Sequence, residues 1–248
     1  MSQDAGALLF RMLGRVRVDG REVGGLKVRT LLVALLLEAN RMVPVDHLVD
    51  ALWDTEPPAS AIANLRTHVS SLRRRISGAA TLVSHPGGYE LVVPEDACDT
   101  YRFPPAASRG RAALADDRPE RAVGPLELAL ALWTTDRSAA DVARHGWLAA
   151  RLNFLDEERR RTVEDFAEAC LRVGEPRSAL RELSALLAVD PLRTRSWALR
   201  MRAHHRLGEQ GGVSDALREA AGAFREHLGS PLDRDLLRLH TDLCRDGS

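Results

Sequence analysis

Residues 44–76 read PVDHLVDALWDTEPPASAIANLRTHVSSLRRRI and contain the strongest structural signal in the chain. Their first part predicts a short helix over Asp46–Trp53, which Pro57-Pro58 cannot continue. A second helix is predicted from Ser60 to Ser77, where apolar residues recur every three or four positions. A hairpin signal, Pro86-Gly87-Gly88 between two apolar runs, follows almost at once. Helix, turn, helix and hairpin in this order are typical of a winged helix-turn-helix.

The second predicted helix has two faces of opposite character. Its inward stripe is predicted to consist of Ile62, Leu65, Val69, Leu72 and Ile76. Between Ser60 and Gly78 there are four arginines and no acidic residue. The outer arc and its flanks carry Ala63, Asn64, Arg66, Thr67, His68, Ser70, Ser71, Arg73, Arg74 and Arg75. Such side chains suit base edges in a major groove and phosphates beside it. The alternative is an ordinary solvated helix face.

Three further segments are candidates for contacts near this helix. The hairpin tip, with His85, Gly87 and Gly88, is a candidate wing, and the alternative is a plain β-turn. Lys27 and Arg29 precede a buried helix and are candidates for phosphate contacts at its N-terminus, or else are plain surface charges. The acidic loop of Asp54, Thr55 and Glu56 is unfavourable against phosphate, so it either faces another protein or is only a connector.

Composition limits the possible classes of protein. The 248 residues carry 35 basic and 35 acidic side chains, so any basic patch must be local. Three widely spaced cysteines argue against a disulfide framework and for a reducing compartment. No signal peptide is recognisable, and the longest apolar run, Leu31–Leu37, is too short to span a bilayer. We therefore expect a soluble cytoplasmic protein that makes no membrane contact.

The remaining patterns divide the chain in two. Asp19-Gly20 between short apolar runs predicts an initial hairpin, Lys27–Glu38 a helix buried on all sides, and Asn40–Pro44 a loop. From Tyr101 to Cys244 six or seven helices are predicted. Val173-Gly174-Glu175 recurs as Leu207-Gly208-Glu209 after 34 residues, the tetratricopeptide period. The predicted fold is mainly α with small β elements. It comprises a winged helix-turn-helix over residues 1–97 and an all-α, tetratricopeptide-like helical repeat domain over residues 98–248.

Motifs for catalysis are missing from the sequence. It contains no P-loop, nucleophile elbow, H-E-x-x-H or C-x-x-C motif. The adjacent His204 and His205 point about 100° apart on a helix and have no suitably spaced carboxylate partner. We therefore expect no enzyme activity, no cofactor and no metal.

With these segments in place, the chain resembles the Streptomyces antibiotic regulatory protein family, from about Leu8 to Cys244. That family joins an OmpR-type winged helix to a helical bacterial transcriptional activator domain. The order and spacing of the matching segments are specific. They are Leu-Leu-Gly near residue 13, Ala-Asn-Arg-Met-Val at 39–43, Asp-His-Leu-Val-Asp-Ala-Leu-Trp at 46–53, Pro-Pro-Ala at 57–59, Asn-Leu-Arg-Thr-His-Val-Ser-Ser-Leu-Arg-Arg at 64–74, Pro-Gly-Gly-Tyr at 86–89 and Asp-Pro-Leu-Arg at 190–193.

The resemblance implies an activator of a secondary-metabolite gene cluster. Members are thought to bind direct repeats near the promoter −35 element as side-by-side subunits, and to recruit RNA polymerase holoenzyme partly through its sigma factor. The resemblance places Asn64, Thr67, His68, Ser71 and Arg74 on the recognition-helix face. It also places residues 54–59 on the loop that contacts polymerase. The expected partners are double-stranded promoter DNA, RNA polymerase and a second copy of this chain on DNA.

Three departures from the family pattern and one competing function stay open. His85 stands where the family usually has arginine, and the family often has glutamine near the position of Arg66. Both departures affect the expected target sequence and not the fold. Gly211-Gly212 falls inside an expected helix, so the last repeat is predicted to start late or be loosely formed. The competing function is a tetratricopeptide-type protein-interaction module whose winged helix no longer reads DNA, and the zero net charge favours it.

Overall fold

The computed structural model describes residues 8–53 and 56–245 and contains two compact units. The first unit comprises residues up to Pro105 together with Ala131–Glu157. The second comprises Ala106–Leu130 and the residues from Glu158 onward. This grouping differs from the predicted division at residue 97, because residues 131–157 pack within the first unit.

The first unit begins with two small sheets that alternate with helices. Its elements up to residue 97 are β1 (Phe10–Arg11), β2 (Arg17–Val18), β3 (Arg21–Glu22), α1 (Leu26–Leu37), β4 (Met42–Pro44), α2 (Val45–Leu52), α3 (Ala61–Arg75), β5 (Thr81–His85), β6 (Gly88–Val92) and a short 3-10 helix, Glu95–Ala97. Within it, α2 and α3 form the predicted helix-turn-helix, and β5 and β6 form the predicted hairpin.

Both sheets are antiparallel and three-stranded. In the first, β2 and β3 meet at Asp19-Gly20, and both turn residues have the positive φ that a two-residue hairpin needs. In the second, the strand order is β4-β6-β5. The prediction of a loop over Asn40–Pro44 was therefore wrong in its second half. Met42–Pro44 is a strand because β6, which is distant in sequence, pairs with it.

Helix α1 lies at the centre of the first core, as its almost uniformly apolar sequence predicts. The residues from Leu31 to Leu36 are all buried. The buried hydroxyl of Thr30 donates to the carbonyl of Leu26 within the same helix. Helices α2 and α3 pack against α1, so the two helices of the motif share one apolar support.

The inward stripe of α3 differs from the predicted stripe at its first position. The later members of the predicted stripe are buried, but Ile62 is 50% exposed. Ala61 takes the inward position in the first turn, and Ile62 therefore points about 100° away from it. Ser60, the residue before α3, makes no side-chain capping hydrogen bond to the helix.

Residues 131–157 complete the first unit, and no pattern in the sequence indicated this. Leu148 and Leu152 are fully buried in the first core. The backbone N–H of Thr134 donates to the carbonyl of Leu13 at 2.9 Å. This segment therefore contributes both apolar side chains and backbone hydrogen bonds to the N-terminal region.

Seven helices follow the 3-10 helix in the described part of the chain, in agreement with the predicted six or seven. They are α4 (Asp99–Ala115), α5 (Pro119–Ala131), α6 (Gly146–Arg172), α7 (Pro176–Val189), α8 (Thr194–Arg206), α9 (Gln210–Leu228) and α10 (Arg234–Arg245). Consecutive helices from α7 to α10 pack against one another, and α10 also contacts α8. Within residues 8–53 and 56–245, no helix is long and apolar enough to cross a membrane.

The 34-residue repeat appears in the second unit as two equivalent turns. Gly174 follows α6 and Gly208 follows α8, both with the positive φ that favours glycine. In each turn the N–H of the residue after the glycine donates to the carbonyl five positions back, that of Cys170 or His204. The same turn therefore joins the helices of both pairs, which is the structural basis of the sequence repeat.

Gly211-Gly212 does not delay or loosen the last repeat, contrary to the prediction. Helix α9 begins at Gln210 and includes both glycines. A Cβ on Gly212 would lie 2.4 Å from Nδ1 of His204, so the missing side chain allows α9 to approach α8 closely. Close packing of the two helices thus explains a glycine inside a helix.

Candidate nucleic-acid interface

The outer face of α3 is exposed and free of acidic side chains. Among the predicted contacts, the exposed side chains are those of Asn64, Arg66, Thr67, Arg74 and Arg75. Ser71 and His68 are half-buried. Because the opposite face of α3 is anchored in the core, the outer face is held toward solvent. This arrangement presents cations together with hydroxyl and amide groups on one helix face.

The arginines of α3 have different surroundings. Arg73 donates from Nε and Nη2 to a carbonyl of β5 at 3.1 and 2.8 Å, and thereby ties α3 to the hairpin. Arg75 lies against Gly24, where an added Cβ would be 3.0 Å from the arginine Nε. Arg66 and Arg74 are exposed, and within the described part of the chain neither side chain has a hydrogen-bond or ion-pair partner. These two guanidinium groups are therefore available to an external anion.

The short polar side chains of α3 are partly occupied by local bonds. Asn64 Nδ2 donates to Ser60 Oγ at 3.1 Å, and Thr67 Oγ1 donates to the carbonyl of Ala63 at 3.2 Å. Each keeps an unused acceptor, and exchanging such exposed bonds for contacts with a base costs little. Ile62, which was predicted to be buried, adds an exposed apolar side chain to the same helix, where a thymine methyl group would be its natural counterpart.

His68 and Lys27 lie together around Trp53. The His68 and Trp53 ring centres are 6.4 Å apart, and Lys27 Nζ is 5.2 Å from the centre of a Trp53 ring. Lys27 also donates to the carbonyl of Leu52 at the end of α2. Burial, and to a smaller extent the Lys27 charge, lower the pKa of His68, so its ring is neutral near pH 7. Sequence patterns did not reveal this cluster because its members come from separate elements.

Arg29 has a structural partner, which corrects the prediction that it is a free phosphate contact. Its Nε lies 3.3 Å from Oδ2 of Asp141, and its Nη1 donates to the carbonyl of Gly24 at 2.5 Å. The side chain is only 19% exposed. Arg29 therefore joins α1 to the segment 131–157, and a partner 112 residues away could not be read from local sequence.

The predicted wing residues have three different environments. His85 is exposed, and its Nε2 lies 2.7 Å from Oε2 of Glu90, so a carboxylate accompanies any positive charge at the tip. Gly87 is exposed with a φ of 84°, and its carbonyl accepts the N–H of Val45. Gly88 is buried, so the prediction that it contacts DNA is corrected: its role is to let β6 approach β4.

Replacing Gly88 with alanine is expected to lower the free energy of unfolding by about 1–3 kcal/mol. The new Cβ would lie 2.3 Å from Sδ of Met42 and 2.5 Å from the carbonyl oxygen of Val43, and a backbone oxygen in a sheet cannot move aside freely. Denaturant unfolding measures the change. The control is Gly222→Ala in α9, which meets nothing within 4 Å and removes a helix-interior glycine, so it should not destabilise. Equal stability of the two variants would contradict this interpretation of Gly88.

The predicted polymerase-contact loop lies partly beyond structural description. Asp54 and Thr55 lie outside the described residues. Glu56 and the prolines that follow it are exposed.

Across residues 8–53 and 56–245, no three His, Cys, Asp or Glu side chains come together as potential metal ligands.

A helix-turn-helix with an outward basic helix and an adjoining hairpin defines the winged-helix class of DNA-binding regulators. Two family models agree with this description. The model "Transcriptional regulatory protein, C terminal" matches residues 25–90, and the model "Bacterial transcriptional activator domain" matches residues 98–244. The chain belongs to the Streptomyces antibiotic regulatory protein family of transcriptional regulators, which combines these two parts.

Similar proteins agree with this membership. The chain is 34% identical to the transcriptional regulator RedD of Streptomyces coelicolor, over 96% of this chain and 71% of RedD. It is also 34% identical to the regulatory protein AfsR of Streptomyces griseus, over 97% of this chain but only 26% of AfsR. This chain therefore matches only a minor part of AfsR.

A solved structure with the same order of parts along the chain is that of Mycobacterium tuberculosis EmbR in complex with a low-affinity phosphopeptide. Its TM-score is 0.82 at 29% sequence identity, and the match covers 96% of this chain and 65% of the EmbR chain. The predicted fold, a winged helix followed by a helical repeat region, is thereby confirmed.

Proposed function

We propose that this protein is a sequence-specific, DNA-binding activator of a secondary-metabolite gene cluster. In this proposal, two subunits bind side by side on direct repeats near the promoter −35 element, and α3 of each enters the major groove. The observation that carries the proposal is a pair of exposed arginines, Arg66 and Arg74, without side-chain partners in the described residues, on a helix that is otherwise anchored in the core.

The groups on α3 suit a division of tasks. An arginine can bind O6 and N7 of guanine at once, and asparagine can do the same with N6 and N7 of adenine. Arg74 lies near the middle of the outer arc, opposite the buried leucines, and is the best candidate for a base contact. Arg66 lies at the edge of that arc and is placed for phosphate. Ile62 adds the apolar contact that distinguishes thymine from cytosine.

Recruitment of RNA polymerase completes the proposed activator. Glu56 is exposed beside the turn that precedes α3, and its charge repels phosphate, so this loop is best suited to a protein surface. Membership of the antibiotic regulatory protein family supports the assignment to a secondary-metabolite cluster. A cytoplasmic location follows if the protein acts on the chromosome in this way.

Footprinting on the promoters beside the gene tests the proposal most directly. Protected half-sites about one helical turn apart are expected, since that spacing places both α3 helices on the same side of the duplex. Absence of any protected site, together with a co-purifying protein partner, would favour the competing protein-interaction function and overturn the proposal.

Replacing Arg74 with alanine is expected to weaken specific binding by about 1–3 kcal/mol and to relax the base preference at one position of each half-site. Arg66→Ala is expected to weaken binding on all sequences alike. It should also reduce the slope of log affinity against log salt concentration by about one. Titrations of the footprinted site and of variant sites at several salt concentrations measure both effects. The control is Arg121→Ala, an exposed arginine on α5 outside the winged helix. Binding that ignores Arg74 or salt would contradict the assignment.

A further inference from the structure

The second unit contains a groove that lies outside the winged helix. It has a volume of about 450 Å³ and is lined by side chains of α6, α8 and α10. These are alternate helices of the repeat, so the groove runs across one face of that array. Its volume falls in the range of clefts that bind small ligands and short segments, roughly 300–1,000 Å³.

Positive charge dominates the walls of this groove. Arg172 from α6 and Arg202 and Arg206 from α8 line it, together with one carboxylate among the described lining residues, that of Glu168. Glu168 is already engaged: it pairs with Arg172 and, at 2.8 Å, with Arg195. Although burial raises it, these arginines hold the pKa of Glu168 below its ordinary value, so the group is ionised and its charge is compensated.

Arg202 and Arg206 have no such compensation. They lie one turn apart on α8, both are exposed, and neither side chain has an ion-pair or hydrogen-bond partner among the described residues. Side chains four positions apart project from the same side of a helix. Two guanidinium groups without partners in the described chain therefore line one groove. Their positive charges repel each other unless an anion binds between them.

The wall also contains a buried polar atom without a partner. His205 lines the groove, and its Nδ1 is shielded from solvent with no hydrogen-bond partner in the part of the chain that is described. Buried polar atoms are almost always hydrogen-bonded in folded proteins. Because this nitrogen is shielded from the groove as well, an anion there would contact the exposed guanidinium groups and not His205 Nδ1.

The floor of the groove is apolar, which determines the kind of ligand. Leu171 and Leu199 are buried beneath the arginines, and Leu243 of α10 adds to the same surface. A nucleic-acid backbone would use the cations but has nothing to place on leucines. An acidic peptide has both carboxylates and apolar side chains, on opposite faces when the two alternate in an extended strand. The lining therefore favours a peptide over a polynucleotide.

We propose that this groove binds a short acidic segment of a partner protein, with carboxylates on Arg202 and Arg206 and apolar side chains on the leucine floor. The site lies within the second unit, so peptide binding and promoter binding can fail separately.

The test is fluorescence anisotropy on the full chain with a fluorescein-labelled hexapeptide of alternating aspartate and leucine. The comparison peptide has asparagine in place of aspartate and carries the same label. We expect the acidic peptide to bind saturably, and the double variant Arg202→Gln/Arg206→Gln to lose at least about tenfold in affinity, as expected for two charge-assisted contacts. The charge-matched control, Arg121→Gln/Arg225→Gln, removes two exposed arginines outside the groove and should bind as the unaltered chain does.

The following outcomes would contradict the proposed peptide site. Equal binding of the asparagine peptide, or unchanged affinity in the groove variant, would overturn the proposal. Displacement of the peptide by a scrambled duplex at matched charge would indicate a general polyanion surface and would also overturn it. Thermal unfolding confirms that each variant is folded. Footprinting of the groove variant on the promoter site separates this proposal from DNA recognition, because its protection pattern should be unchanged.

Discussion

A fragment that ends at Ala97, the boundary that the sequence predicts, is expected to lack a cooperative unfolding transition. It loses Leu148 and Leu152, which are fully buried in the first core, and removing one such leucine side chain typically costs about 2–5 kcal/mol. The combined cost of losing both leucines is comparable to the whole free energy of unfolding of a small domain, about 5–15 kcal/mol. Circular dichroism during heating and amide hydrogen exchange measure the loss.

Hydrogen bonds disappear in the same fragment. The carbonyls of Met12 and Leu13 lose the backbone N–H groups that donate to them from the segment 131–157. The N–H of Val16 loses Oδ1 of Asp141, which accepts it at 2.8 Å. Buried polar groups left without partners add to the cost of the missing apolar contacts.

A fragment that ends at Glu157 is the matched control, since it retains every residue of the first unit. It is expected to keep a sharp transition and the promoter affinity of a monomeric subunit. If the shorter fragment melts as sharply as the longer one and binds DNA as tightly, the segment 131–157 is dispensable and the predicted boundary is the true folding boundary.

The features that the sequence predicted correctly are those with local causes. The apolar stripe of α3 depends on residues three and four positions apart. The turns at Gly174 and Gly208 depend on the left-handed backbone conformation that glycine tolerates. The Asp19-Gly20 hairpin has the same kind of cause. For such features the neighbouring residues contain almost all of the determining interactions, so a single sequence was enough.

The features that sequence patterns did not reveal depend on distant partners. Strand β4 is short, and it forms because β6 pairs with it from beyond α2, α3 and β5. Arg29 was assigned to phosphate because its partner, Asp141, is 112 residues away. Ile62 was predicted to point inward, but the neighbouring Ala61 fits the apolar stripe as well. Only tertiary packing determines which of the two residues is buried.

The candidate interface is divided in the same way. The exposure of Arg66 and Arg74 follows from helical geometry and could be predicted. The position of His68 and Lys27 beside Trp53 could not, because separate elements meet there. The buried glycine of the wing has the same explanation, since its neighbour is a methionine of β4. The remaining outward set is smaller than predicted. If α3 binds DNA as proposed, the loss of Arg66 or Arg74 should weaken binding most.

Asp99 is the buried group whose replacement by alanine is expected to have the largest effect of any single substitution considered. Its side chain joins the start of α4 to the β1–β2 connection, where Oδ2 accepts the N–H groups of Met12 and Leu13 at 2.8 and 2.9 Å. Asp99→Ala leaves both buried amides without an acceptor, at about 1–3 kcal/mol each. We expect the free energy of unfolding to fall by about 2–6 kcal/mol.

Asparagine at this position is the control that separates the acceptor from the charge. Asp99→Asn keeps one oxygen for the two amides. Its new amide nitrogen takes the place of Oδ1. In Asp99 that oxygen is buried and receives no hydrogen bond of ordinary geometry from the described residues. The substitution therefore breaks no side-chain hydrogen bond at this atom. At pH 7 this variant is expected to be at least as stable as the unaltered chain, because it does not bury a negative charge.

The pH dependence gives the decisive measurement. Burial raises the pKa of Asp99 from 3.8 to about 6, against the opposing effect of the backbone amides. Between these values the folded state holds a proton that the unfolded state has released, so this group's contribution to stability is complete below the lower value and is lost as the pH rises through the upper one. Denaturant unfolding of the unaltered chain minus that of Asp99→Asn should show this decline, whereas Asp99→Ala should be the least stable chain at every pH. Equal destabilisation by asparagine and alanine would show that the carboxylate charge, and not its acceptor oxygen, holds the β1–β2 connection.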